Sequence, residues 1–368
     1  MQKIGLALEG GGLKGSYQIG SYYAFKDCHI KISGIVGTSI GAFNAAAIAC
    51  GNETQLLKFW QQIKPGEILG INKEVIKYFN GEKISLNFLK GLKSTTMSIL
   101  KNHGIDTSKM RKIGQTLVNP EKLRSSPMDF GLTTVKFRKL TPVYMYKEEI
   151  SDDKLIDSII ASCYLPVFRL DPVIDNHIYI DGGFYDNCPS RMLVEKNYDI
   201  VYEIKINGIG FNRPHLDTKT KIITISPSRN LCSIFEMNSS NISENILMGY
   251  YDTIRYLKNY DGKKYVFKKL PDFLIKHLLR KVSTKELKRI KSFFNVKTKR
   301  EAIIYSLEYV LEKEHINYYH IYNVIKVIHV INHKYENEKC IIDNEKSLMV
   351  YPHNPQYVYV PKAIIQPY

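Results

Sequence analysis

Two apolar runs in the first fifty residues, KIGLALE and ISGIVG, each end in a glycine-bearing turn and lead straight into helix-forming sequence. A strand–turn–helix unit repeated this way builds a parallel sheet, because the chain must be carried back before the next strand can pair. No other feature limits the fold so sharply. The expected class is α/β, with three layers, α/β/α, around a mainly parallel central sheet.

The rest of the chain extends this pattern. Residues 52–118 read as mostly helical or irregular, with helix-like patches in TQLLKFWQQI and SKMRKIGQTL. MDFGLTTVKF and TPVYMYKEE read as strands close enough to form a hairpin or an adjacent pair. DDKLIDSIIASC reads as a helix with an aspartate near its start, as capping favours. HIYIDGG, YDIVYEIKI and KIITISP add short strands, and a helix follows from about residue 240 to 257. Beyond Asp261 the composition turns strongly basic, with apolar residues at helical spacing. A boundary near residue 262 is therefore expected, dividing a domain over 1–261 from a basic, largely helical extension over 262–368.

The turn EGGGLKG after the first strand satisfies G-x-G-x-x-G at Gly10, Gly12 and Gly15. That spacing suits a dinucleotide phosphate, but the nucleotide reading also wants an acidic residue at the end of the second strand. The second strand instead runs into GTSIG, residues 37–41. G-x-S-x-G between a strand and a helix makes a nucleophile elbow, in which a tight turn lifts the serine hydroxyl out of the sheet. Gly37 and Gly41 remove side chains that would clash there. The helix behind Ser39 aims its positive N-terminal end at the site. Neighbouring parallel strands bring both loops to one sheet edge. The amides of the glycine turn can therefore serve the oxyanion of a reacting ester, and Lys14 either reinforces the positive field or is simply solvated.

An elbow serine needs a base. Of the ten histidines, His177 precedes a strand, His215 lies in a polar loop, six fall in the basic C-terminal part, and His29 and His103 lack helpful context, so nothing points to a triad. Asp181 ends a short strand in IYIDGG and is followed by Gly182 and Gly183, which either free its carboxylate to accept the serine proton or simply form an Asp-Gly turn.

Together, GGGLKG at 10–15, GTSIG at 37–41 and DGG at 181–183, with ASCYLPVF at 161–168 and DNCPS at 186–190, resemble the patatin-like phospholipase family. The resemblance covers about residues 4–260. It implies a patatin-like α/β fold, a Ser39 nucleophile, Asp181 as its base in a Ser-Asp dyad, and Gly10, Gly11 and Gly12 at the oxyanion hole. Lys14, Gly15, Gly37, Gly41, Gly182 and Gly183 support these motifs. The implied activity is metal-independent hydrolysis of lipid carboxylic esters through an acyl-enzyme, with no cofactor. A thioesterase or small-ester esterase using the same dyad, and a nucleotide- or anion-binding module, remain as alternatives.

The formal net charge of +16 attracts anions, whether polynucleotides or anionic lipid surfaces, or merely keeps the chain in solution. No zinc-finger, RRM or homeodomain pattern accompanies it, so nucleic acid is not an expected partner. FLIKHLLRKVSTKELKRIKSFF mixes Phe and Leu with Lys and Arg, as an interfacial helix does, and equally as an amphipathic helix packed on a core does. A lipid substrate with transient membrane-surface contact is expected. No apolar run of membrane-spanning length appears, the N-terminus reads as the first strand, and six dispersed cysteines suit a reducing compartment. These features place the chain in the cytoplasm, with peripheral contact at the inner membrane face expected.

Overall fold

Seven strands form the main sheet of the computed structural model, which describes residues 2–63, 108–164, 174–214, 219–232, 239–336, 341–343 and 348–350. They are β1 (Ile4–Leu8), β2 (Gly34–Thr38), β3 (Asp129–Lys136), β4 (Thr141–Tyr146), β5 (Tyr179–Asp181), β6 (Ile200–Ile204) and β7 (Lys221–Ile225). The order is β4-β3-β2-β1-β6-β7, with β5 also paired to β3. β1, β2, β3, β6 and β7 are parallel, while β4 and β5 run antiparallel to β3. This is the mixed, mainly parallel sheet that the strand–turn–helix opening requires.

Helices cover both faces. α1 (Ser16–Asp27) and α2 (Ile40–Ala49) follow β1 and β2 after their glycine turns. A side chain on Gly37 would meet the Gly41 carbonyl carbon at 2.3 Å, so α2 lies directly on the β2 face. Ala7, Val36 and Val201 point the other way, onto Met192 and Leu193 of the helix Arg191–Glu195. Because β1 and β2 are buried on both faces, they read as unbroken apolar runs instead of alternating ones. α3 (Glu53–Gln62) buries Leu56 and Trp60.

One local expectation changes. DDKLIDSIIASC is not a single capped helix: Asp152–Lys154 form a 3-10 turn, and the helix Leu155–Ser162 starts after it with no side-chain cap. Expectations for residues 64–107, 165–168 and the Pro- and Tyr-rich 351–368 fall outside the described residues.

The chain divides into two compact units, Met1–Thr253 and Ile254–Tyr368, within the helix Ser239–Leu257 and a few residues before the compositional shift. The second unit has its own apolar core, drawn from the helices Asp272–Leu278, Thr284–Phe293, Lys299–Lys313 and Val324–Glu336. Buried Glu308 accepts the amides of Lys263, Lys264 and Tyr265 at 2.6, 2.8 and 2.9 Å, which fixes the loop that enters this core. Among the described residues no helix is long and apolar enough to cross a membrane.

Candidate active site

Strand register brings the serine and the aspartate together. On β3, Thr133 pairs with Thr38, the last residue of β2, and the next residue, Thr134, pairs with Asp181, the last residue of β5. β2 and β5 therefore meet head-on in one lane beside β3. Ser39 follows directly from the β2 end. The Ser39 hydroxyl comes close enough to the Asp181 carboxylate to pull its pKa down, and the carboxylate Oδ1 accepts the Gly183 amide at 2.7 Å.

The elbow is held by sterics and hydrogen bonds. Ser39 has φ 57° and ψ −129°, a conformation that costs a non-glycine residue about 1–3 kcal/mol and persists only where its surroundings enforce it. A side chain on Gly41 would stand 2.3 Å from the Leu8 carbonyl oxygen, and one on Gly182 would stand 2.2 Å from that of Thr133. These contacts fix glycine at both positions. The Ser39 carbonyl accepts the amides of Ala42 and Phe43 at 2.9 and 3.1 Å, which starts α2 immediately behind the hydroxyl.

Two residues with no role read from the sequence complete the frame. Ser162, fully buried, accepts the Ser39 amide at 2.9 Å and donates to the Thr133 carbonyl at 2.7 Å, tying elbow to sheet. Asn187 holds Gly10 from both sides. Its carbonyl accepts the Gly10 amide at 3.0 Å, and its side-chain amide donates to the Gly10 carbonyl at 3.1 Å. The neighbouring Asp186 carbonyl accepts the Thr38 hydroxyl at 2.7 Å. Ser162 and Asn187 lie in ASCY and DNCPS, the short flanking segments of the family resemblance, and that was the only signal for them.

The glycine turn meets the serine. A side chain on Gly10 would touch Ser39 Cβ at 3.0 Å. With its amide donated to Asn187, Gly10 acts as the anchor of the turn. Gly12 has φ 57° and opens the 3-10 turn Gly12–Gly15, and the amides of Gly11 and Gly12 have no acceptor among the described residues. These two are the donors open to an oxyanion. Gly15 leaves room for Ile40, whose Cγ1 would lie 2.7 Å from a side chain there. Lys14 donates to the Asn207 carbonyl at 2.8 Å, which ties the turn to the loop after β6, and burial holds its pKa below the usual value.

Asp181 is 5% exposed, and burial pushes its pKa up to about 6 despite the opposing hydrogen bonds from Ser39 and Gly183. Cys163 is buried within reach of the same hydroxyl. Burial first, and the Asp181 charge next, hold its thiol well above the ordinary range and therefore protonated. Among the described residues, the polar side chains that interact with Ser39 are thus Asp181, Ser162 and Cys163, none of them a histidine. No group of three or more His, Cys, Asp or Glu there is placed to hold a metal ion. The arrangement can deprotonate a hydroxyl and receive a negative oxygen beside it.

Known proteins share this part of the chain. The family described as Patatin-like phospholipase matches residues 6–194. Lysophospholipase nte1 of Aspergillus terreus is 25% identical over 215 residues, covering 58% of this chain and 12% of that protein. The probable lipid hydrolase 463L of Invertebrate iridescent virus 6 is 25% identical over 195 residues, 52% of this chain and 63% of that one. The chain thus covers under two thirds of the length of these relatives. Among solved structures, VipD from Legionella pneumophila aligns over 94% of this chain and 82% of its own at a TM-score of 0.44 and 12% identity.

Proposed function

We propose that this chain, which belongs to the patatin-like phospholipase family, is a lipid acyl hydrolase in which Ser39 and Asp181 form a two-residue catalytic centre. The observation that carries the proposal is the strand register that sets Ser39 beside the buried Asp181 carboxylate, on an elbow whose backbone is held in a conformation serine does not adopt freely.

In the proposed reaction Asp181 takes the Ser39 proton as Oγ attacks the ester carbonyl carbon. The amides of Gly11 and Gly12 receive the negative oxygen of the tetrahedral intermediate, each worth about 2.7–4 kcal/mol if it resembles other oxyanion donors. The intermediate collapses, the C–O bond breaks, and Asp181 returns the proton to the departing alcohol. Water then attacks the acyl carbon as Asp181 takes its proton, and Asp181 returns that proton to Ser39 Oγ as the acyl–Oγ bond breaks and the carboxylic acid leaves. A base with a pKa near 6 is ionised at neutral pH yet still holds a proton well enough to pass it on. The chemistry draws on this chain's own side chains and amides, at the surface of a lipid aggregate.

The test is hydrolysis of a long-chain phospholipid and a matched lysophospholipid, with a short-chain ester and a thioester for comparison. Wild type should prefer the long-chain esters, and Ser39→Ala and Asp181→Asn should each lose the activity. Full activity in Asp181→Asn would sink the dyad, and a preference for the thioester would move the substrate class.

A further inference from the structure

Charge is unevenly shared along the chain. Residues 254–368 hold 22 Lys and Arg against 11 Asp and Glu, more than half of the net +16 in less than a third of the length. Within this unit the helices Asp272–Leu278 and Thr284–Phe293 bury Ile275, Leu278 and Ile290 in the core. Their outer sides, with the turn between them, carry Lys276, Arg280, Lys281, Lys285, Lys288 and Arg289, all exposed. None of these six side chains has an acidic partner among the described residues. The two acids of the stretch are engaged elsewhere. Asp272 pairs with Arg300 at 2.6 Å, and Glu286 closes a capping box on Ser283.

Aromatic side chains stand among the cations. On the helix Thr284–Phe293, positions 285, 288, 289 and 293 fall on one face, which joins three cations to Phe293 at 49% exposure. On the preceding helix Phe273, 68% exposed, shares a face with Lys276, three residues on. Phe293 packs one side on Phe294 and Tyr309, but solvation, which accounts for unpaired lysines, gives no reason to leave its other side and Phe273 in water beside them. Cations that meet anionic headgroups, with aromatic rings reaching the acyl boundary, account for both.

We propose that the exposed sides of these two helices, which carry Phe273 and Lys276 on one and Lys285, Lys288, Arg289 and Phe293 on the other, dock on an anionic lipid surface. The choice of lipid over polynucleotide rests on the lipid-hydrolase reading above; the face itself does not.

The experiment is vesicle sedimentation of the full chain carrying Ser39→Ala, so that the lipid is not consumed. Vesicles of phosphatidylcholine alone are compared with vesicles containing phosphatidylserine, at low and high salt. The expected result is salt-sensitive binding to the phosphatidylserine vesicles only. Lys285→Glu, Lys288→Glu and Arg289→Glu together should lower it by at least about 100-fold, since each lost cation forfeits about 1 kcal/mol and each new carboxylate adds repulsion. Phe273→Ser with Phe293→Ser should weaken it less, and by a similar factor at either salt concentration. Unchanged binding by the charge-reversed chain, or equal binding to phosphatidylcholine alone, overturns the proposal. Tighter binding to a single-stranded oligonucleotide at equal salt overturns it in favour of a polynucleotide surface. With Ser39 restored, the charge-reversed chain should hydrolyse a soluble short-chain ester at the wild-type rate, which shows that it is folded. If no ester is hydrolysed by wild type while the Ser39→Ala chain still binds, the hydrolase reading has failed and the docking surface stands.

Discussion

Replacing Asp181 with asparagine should strengthen the first unit while silencing its chemistry. Burial raises the carboxyl from its ordinary value to about 6, so the folded protein holds that proton more tightly than the unfolded chain does. The contribution to stability is then complete below the unfolded pKa of about 4 and declines as pH rises to about 6; above that the full penalty of a buried charge is in force. A rise of that size corresponds to about 3 kcal/mol. Asparagine is neutral throughout, keeps the shape, and can still accept the Gly183 amide. The variant should therefore match wild type near pH 4 and exceed it by about 2–3 kcal/mol at pH 8, after allowance for the altered bond to Ser39. Trp60, the single tryptophan, is buried in α3 with its indole N–H on Asn44 at 3.0 Å. Urea unfolding followed by its fluorescence thus reports on the first unit alone. A difference between the two proteins that stays constant from pH 4 to 8, or a variant weaker at pH 8, would overturn the buried-charge explanation.

The same ionisation governs catalysis, so kcat/KM should fall about tenfold per pH unit below about 6, and a pH–rate profile with no limb in that range would contradict Asp181 as the base. Ser162→Ala leaves the part-buried Ser39 amide without its acceptor, at about 1 kcal/mol, and should lower kcat more than it raises KM in steady-state kinetics. Gly41→Ala forces a methyl against the Leu8 carbonyl and should give a destabilised or insoluble chain, seen as a lowered urea midpoint or loss of soluble protein.

What could be read in advance follows from where each constraint is encoded. β1 and β2 are buried on both faces, so their apolar runs sit in the local sequence, and Gly37 and Gly41 are dictated by contacts within one turn or across one strand pair. The lane shared by β2 and β5 was not legible. HIYID announces a strand, but only the pairing of Thr134 with Asp181 says which strand it faces. Ser162 and Asn187 act through hydrogen bonds to residues 123 and 177 positions away, and nothing in a serine or an asparagine declares so distant a partner. The same limit applies to Gly10. Its place in the motif was plain, but that its amide goes to Asn187, leaving Gly11 and Gly12 as the open donors, depends on the loop after β5. In the sequence Lys14 reads equally as part of the positive field or as a solvated cation, because its bond to Asn207 depends on the loop after β6.

The proposed chemistry stands or falls on acyl transfer through Ser39. To test it, the enzyme is quenched in acid during turnover of a long-chain ester and the acyl group is located by peptide mass spectrometry. An acyl adduct is expected on the peptide containing Ser39, present in wild type and absent in Ser39→Ala. An adduct on another residue, or continued hydrolysis by Ser39→Ala, would contradict the Ser39 mechanism.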